Sequence, residues 1–265
     1  MLHEQAIYQH DAEQYQVEEL DYENHKAYVR RVEPDYFTTA MINRKVSIIE
    51  VTAARPLGIE VTAARPLGIE LTAAAPMGRA LGTWGEVSVV EKVVGYKKIK
   101  FYTHENTGYG EVRLPDMQMH TTSFWLTVPE AICLELGMPR AAAVDALRGV
   151  GVALETVATL LLMCDPRDIG QTLEPGMGAG GTGAGAALDD PTLFLFDNVP
   201  GGVGLAERIW HAAPELLASA RQLLLGCACK AGCPLCVGAA PVADALGASR
   251  KRAAIRLIEL VLHAS

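Results

Sequence analysis

No run of about 18 apolar residues occurs in this sequence, so nothing in it reads as a membrane-spanning helix. The N-terminal stretch MLHEQAIYQHDAEQ has no basic segment followed by an apolar one, which departs from a secretory signal and leads to the expectation of a cytoplasmic protein without a membrane partner. Positive charge is scarce: 23 Lys and Arg stand against 31 Asp and Glu, a net charge of -8. That excludes a surface that coats nucleic acid throughout, and any such contact must be local. There is no G-x4-G-K-[ST] loop and no DE-x-H or DE-x-D box, so these residues lack the parts that hold nucleotide and magnesium in phosphate-loop enzymes. Aromatic residues make up only 6% of the chain, so the core is expected to rest on Leu, Val and Ala and on close backbone approaches.

What is present reads as α+β, with antiparallel β sections followed by a helical region and a small four-cysteine segment. AIYQH, QYQVEEL and KAYVRRV between Ala6 and Val32 read as strands separated by turn-like breaks at Asp11 and at Tyr22-Glu23-Asn24, a small antiparallel meander. A tandem repeat follows. VTAARPLGIE at 51–60 recurs identically at 61–70 and decays into LTAAAPMG at 71–78; its prolines oppose a central strand, so 51–78 is expected to be a connector with short extended pieces. GEVSVVEKVVGYKKIKFYTH, GYGEVRLP and TTSFWLTVP are further extended runs, which places a β-rich region at 1–126. Residues 127–190 are expected to be helical: a short helix at EAICLELG, a long one interrupted near Gly149 and Gly151, and a Gly-rich loop at 176–190. The region 191–265 restarts with the strand PTLFLFDNV, continues through helices broken near Pro214, and closes with a helix from about Ala243 to His263. Leu246, Ala254, Ile255, Ile258, Val261 and Leu262 form the apolar stripe of that helix.

Four of the six cysteines fall within GCACKAGCPLC. Cys227, Cys229, Cys233 and Cys236 have the spacing C-x-C-x3-C-x2-C, in which a C-x2-C turn aims two thiolates at one ion while Gly226 and Gly232 ease the tight wrapping of the loop. Four thiolates suit tetrahedral zinc with no position left open, which is a structural site. The other readings are a haem attachment, an iron–sulfur cluster, a redox pair and unliganded buried thiols. Haem attachment needs a His where Val237 stands, a redox pair does not need two further thiols, and ligands confined to so short a loop fit one small ion better than a cluster. Cys133 and Cys164 sit in apolar helical patterns and read as core residues.

FLFDNVPGGVGLAERIW followed by CACKAGCPLC resembles the C-terminal zinc-binding domain of the MrfA-like superfamily 2 DNA helicases, ATP-dependent repair enzymes. AIYQHDAEQYQVEELD, KAYVRRVEPDYFTTA, VVGYKKIKFYTHENTGYGEVRLP and LLMCDPRDIG are similar to other segments of that family. The resemblance implies that Cys227, Cys229, Cys233 and Cys236 are zinc ligands, that Asp197, Gly201, Gly202 and Gly204 form a D-x3-GGxG turn, and that Asp165 and Asp168 form a C-D-x2-D segment. It further implies helicase motor domains as partners, in cis or in trans, and no ATP hydrolysis by these residues alone.

Outside the cysteines the candidates are weaker. Asp197 is expected to bond turn and helix amides rather than a ligand. Asp165, Asp168 and Asp197 could converge as a nuclease-like metal site. Lys97, Lys98 and Lys100, interleaved with Tyr96, Phe101 and Tyr102, are the local candidate for DNA contact through phosphate tracking and base stacking. Arg250, Lys251, Arg252 and Arg256 make one side of the terminal helix basic, open to DNA, a partner or neither; His120 and His211 read as packing or surface residues. The expectation is a zinc-binding accessory module of a DNA helicase, with a stand-alone protein-interaction scaffold and a metal-dependent nuclease as the alternatives.

Overall fold

A computed structural model describes residues 2–57, 79–176, 189–239 and 249–263. The repeat beyond Leu57, most of the Gly-rich loop and the expected start of the terminal helix, with Leu246, lie outside the described residues. The chain divides into two compact units, 1–45 with 89–118 and 46–88 with 119–265.

In the first unit, β1 (Ile7–His10), β2 (Glu13–Asp21) and β3 (Lys26–Arg31) form a three-stranded antiparallel sheet in the order β1-β2-β3. Tyr8 faces Tyr15, and Tyr15 in turn faces Arg31. The alternation is interrupted at Glu18, where the pairing of β2 with β3 shifts register. The meander read from the sequence is present because turns separate three runs of strand length. Arg30 and Arg31 on β3 are neutralised by Glu18 and Glu13. A buried His3 stacks on Tyr96, with ring centroids 4.7 Å apart.

Two long strands, β4 (Tyr36–Pro56) and β5 (Leu81–Lys100), contribute segments to both units. They belong to a six-stranded sheet with β6 (Asn106–Gly110), β7 (Met117–Thr127), β8 (Ile169–Glu174) and β9 (Thr192–Asp197), ordered β4-β5-β7-β9-β8, with β6 paired to β5. All six residues of β9 are buried, as suits a central strand covered on both faces.

The second unit holds the main core. Helices α1 (Glu130–Glu135), α2 (Arg140–Leu162), α3 (Leu205–Gly226) and α5 (Arg250–His263), with the single turn α4 (Pro234–Val237), pack together over β8 and β9. Ala143, Ala146, Leu147, Val150, Leu154 and Val157 of α2 meet Leu216, Leu217 and Ala220 of α3 and Leu257, Ile258 and Val261 of α5 in one cluster. Cys133 is buried in that cluster and Cys164 packs against it. Among the described residues no helix is long and apolar enough to cross a membrane.

Two expected helix breaks are absent. α2 runs unbroken through Gly149 and Gly151 because both serve close approach: a Cβ on Gly149 would press on Arg250 and Val237, and one on Gly151 would lie 2.8 Å from Leu193. Packing gained there outweighs a helix penalty of about 1 kcal/mol per glycine. α3 likewise continues through Pro214. Proline cannot donate to the carbonyl four residues back, and here Arg55 takes that acceptor, donating through Nη2 to the Trp210 carbonyl at 2.6 Å and to that of His211 at 3.0 Å. The Arg55 guanidinium also lies 4.6 Å from the Trp210 ring centroid, and the Trp210 indole donates to the Gly82 carbonyl.

Candidate metal centre

α3 delivers the chain to the thiols. The Cys227 amide still donates to the Leu223 carbonyl at 3.1 Å while its own backbone turns extended, so the helix stops where the cysteines begin. The loop then runs to Cys233, whose carbonyl accepts from the amides of Cys236 and Val237, both at 3.1 Å, and Pro234 opens the one-turn α4 with its φ already suited to that position. Gly232 takes φ +121 in this wrap. Gly226, expected to relieve strain as well, is the last residue of α3 and carries none.

The four sulfurs converge. Sγ–Sγ distances are 3.5 Å for Cys227–Cys229, 3.8 Å for Cys227–Cys233, 3.5 Å for Cys229–Cys236 and 3.5 Å for Cys233–Cys236. A tetrahedron with zinc–sulfur bonds of about 2.3 Å has edges of about 3.8 Å, so the cage matches a single zinc ion, and all four sulfurs lie within 4.8 Å of one another. All six cysteines of the chain are free thiols. Burial pushes the Cys236 thiol up to about 12, and hydrogen bonds with the other three thiols add to the rise against the lowering effect of the Cys233 amide. A bound dication reverses that balance by holding thiolates, and with four protein ligands it leaves no site for a reactive water.

Around the cage lies a set of donors that polarity patterns did not reveal. Arg250 and Lys251, expected on an exposed basic face, are 6% and 7% exposed and point inward. Arg250 donates to both carboxylate oxygens of Asp145 on α2 at 2.7 and 2.6 Å, and to the carbonyls of Val237 and Ala239. Lys251 Nζ donates to the carbonyls of Cys227 and Cys229, both at 2.7 Å. The Ser249 hydroxyl donates to the Ala231 carbonyl at 2.7 Å. Only Arg252 and Arg256 of the basic run are exposed. Sequence polarity alone gave no hint that Arg250 and Lys251 had partners.

The other candidates fall elsewhere. Asp197 is 0% exposed; its carboxylate accepts from the amides of Val203 at 2.6 Å, Leu205 at 3.1 Å and Ala206 at 2.8 Å. Gly201, Gly202 and Gly204 take φ of +83, +73 and +85 in the turn this carboxylate organises, and a Cβ on Gly202 would collide with Thr122. Asp168 accepts from the Asp165 amide, and Asp165 from the Arg167 amide. Among the described residues the four cysteines are the only set of three or more potential ligands close enough to hold a metal, so Asp165, Asp168 and Asp197 do not converge as a nuclease needs. Lys98 and Lys100 share one face of β5 and Lys97 faces the other, since strand side chains alternate. Lys98 lies 5.3 Å from the Tyr36 ring centroid, and Tyr102 is 97% exposed at the tip beyond β5. His211 is exposed beside Glu207, and the His120 carbonyl accepts from the Gly201 amide.

Comparison with known proteins agrees with this geometry. A family model described as the MrfA Zn-binding domain matches residues 150–237. The chain is 32% identical over 238 residues to the "Uncharacterized ATP-dependent helicase YprA" of Bacillus subtilis (strain 168), covering 90% of this chain and 28% of that protein. Its fold is similar to crystal structures of the DUF1998 helicase MrfA: bound to DNA, with TM-score 0.60 and 30% identity over 98% of this chain and 30% of that one, and a second with TM-score 0.56 and 26% identity over 98% and 30%. The chain thus spans under a third of the length of these relatives. The family model described as the MrfA Zn-binding domain takes in α3 and all four clustered thiols, and residues 150–237 are similar to that domain.

Proposed function

We propose that this chain is the zinc-binding accessory module of an ATP-dependent superfamily 2 DNA helicase, working in DNA repair in the cytoplasm, with Cys227, Cys229, Cys233 and Cys236 holding one Zn2+. The observation that carries the reading is a tetrahedral cage of four thiols inside a segment matched by a helicase-associated zinc domain. Similarity to helicases over nearly the whole chain supports motor domains as the partner, in cis or in trans. The module hydrolyses no ATP of its own, because the phosphate loop and its acidic box are not in its sequence. Its zinc holds shape: it fixes the end of α3 against α5, and so presents the rest of the module to DNA and to the motor. Lys97, Lys98, Lys100 and Tyr102 are the proposed DNA contacts, cations for phosphate and an exposed ring for a base.

Metal content and DNA binding test this together. Mass spectrometry of the purified chain is expected to find one zinc per chain, and Cys233→Ser is expected to lose it. Binding to single-stranded DNA, followed by anisotropy, is expected to weaken with added salt and to weaken further in Lys98→Ala/Lys100→Ala. An iron–sulfur absorbance spectrum would overturn the metal assignment. DNA binding that is absent or insensitive to salt would overturn the DNA contact and favour a protein-interaction scaffold.

A further inference from the structure

Among the described residues, the buried ammonium of Lys251 meets no carboxylate. Its donors go to two neutral carbonyls, Cys227 O and Cys229 O. Lysine is almost never this deeply buried without a counter-charge, because removing an ammonium from water costs several kcal/mol. The carbonyls it grips belong to two of the four clustered cysteines. Four thiolates around a dication carry a net charge of -2, which also needs compensation in a partly buried site.

We infer that Lys251 is the charge-balancing positioning residue of the metal centre, resting on the zinc reading above. Each buried charge supplies what the other lacks. The ammonium offsets the excess negative charge of the metal–thiolate unit, and its two hydrogen bonds hold the first two ligands in the register that closes the cage. Ser249 and Arg250 complete the grip: the first turn of α5 and the residue before it bond the carbonyls of Cys227, Cys229, Ala231 and Val237, and Arg250 carries the connection to Asp145 on α2. The zinc loop is therefore continuous with the helical core. α5 thus supplies the outer wall of the site that would hold the metal ion.

The test is zinc affinity, measured by competition with a chromophoric chelator on the full chain. Lys251→Met is expected to bind zinc about 10- to 100-fold more weakly, the usual cost of losing an outer-shell partner, and Lys251→Arg, which keeps the charge, to stay within several-fold of the parent. Lys251→Gln keeps a donor without the charge and is expected to follow Lys251→Met; it decides the matter if Lys251→Met yields no folded protein. Neutral variants with parental affinity would overturn the inference. Equal losses in the Arg, Gln and Met variants would also overturn it, since size rather than charge would then be what the site needs. A parent chain that binds no zinc would instead sink the zinc reading itself, so the two failures are distinguishable.

Discussion

The two ends of α3 are held in opposite ways. At its start, Asp197 accepts from three backbone amides and closes the D-x3-GGxG turn with groups the polypeptide already contains. At its end, Cys227 leads into a cage of four converging thiols, the donor set of a metal ion, whose wall carries the buried cations Lys251 and Arg250. The first anchor forms when the chain folds. The second is conditional on an ion. One helix thus joins a self-sufficient turn to a metal-dependent one, and the two should respond to different perturbations.

Removing the metal should give the largest effect. Structural zinc contributes an apparent ~10 to 16 kcal/mol at neutral pH, against the ~5 to 15 kcal/mol that stabilises a whole domain. Chelation or Cys233→Ser is therefore expected to release the loop and undock the start of α5, read as lost helical signal and new proteolytic cleavage between 227 and 256. The turn at 197–204 should keep its protection from hydrogen exchange. If both ends of α3 lose protection together, the ends are not independent.

Acid should separate the anchors again. Zinc must displace thiol protons to bind, so affinity falls as pH falls. In the metal-free chain the sign is opposite: the Cys236 thiol is raised by burial to about 12, so its contribution to stability is present below the unfolded thiol value of ~8.5 and fades as pH rises toward the folded value. Alkaline conditions are thus expected to tighten the loaded form and loosen the empty one. Thermal unfolding against pH, with and without zinc, reads the two slopes; parallel slopes would contradict the picture.

The carboxylate end should give a smaller loss. Asp197→Ala leaves the amides of Leu205 and Ala206 buried and unpaired, at about 1 to 3 kcal/mol each. Asp197→Asn keeps one acceptor oxygen but turns an NH2 toward an amide that the other oxygen served, and should lose about 1 to 3 kcal/mol. Urea midpoints measure both, and zinc content should stay at the parental value. Zinc loss in either variant would show that the self-sufficient end supports the conditional one.

Legibility follows the same division. The thiol cage could be read because its ligands are close in sequence and metal geometry admits few spacings, and the meander because turns punctuate three runs of strand length. What escaped depends on partners far along the chain. Pro214 looked like a break because the donor replacing its missing bond is Arg55. Gly149 and Gly151 looked like an interruption because nothing local announces that Arg250 and Leu193 press against them. Lys251 and Arg250 looked like solvated charge because periodicity records polarity, not whether a carbonyl or Asp145 waits across the fold. The strand β8 escaped for a similar reason: its polar residues pair with β9, which supplies the burial.

The tandem repeat provides the smallest expected effect and a control touching neither end of α3. Because 51–60 and 61–70 are identical, deleting either copy produces the same protein. That protein keeps an Arg to cap Trp210 and a Leu to fill the position of Leu57, which is buried and whose amide donates to the Ala80 carbonyl. The connection from Leu57 to Arg79 loses ten residues, about half its length. By loop-closure entropy alone this stabilises by about 0.6 kcal/mol. A urea midpoint equal to the parent's or slightly above it, with unchanged zinc affinity, is the expected result. A loss above about 1 kcal/mol would mean that the second copy makes contacts of its own, and that the repeat does more than join two strands.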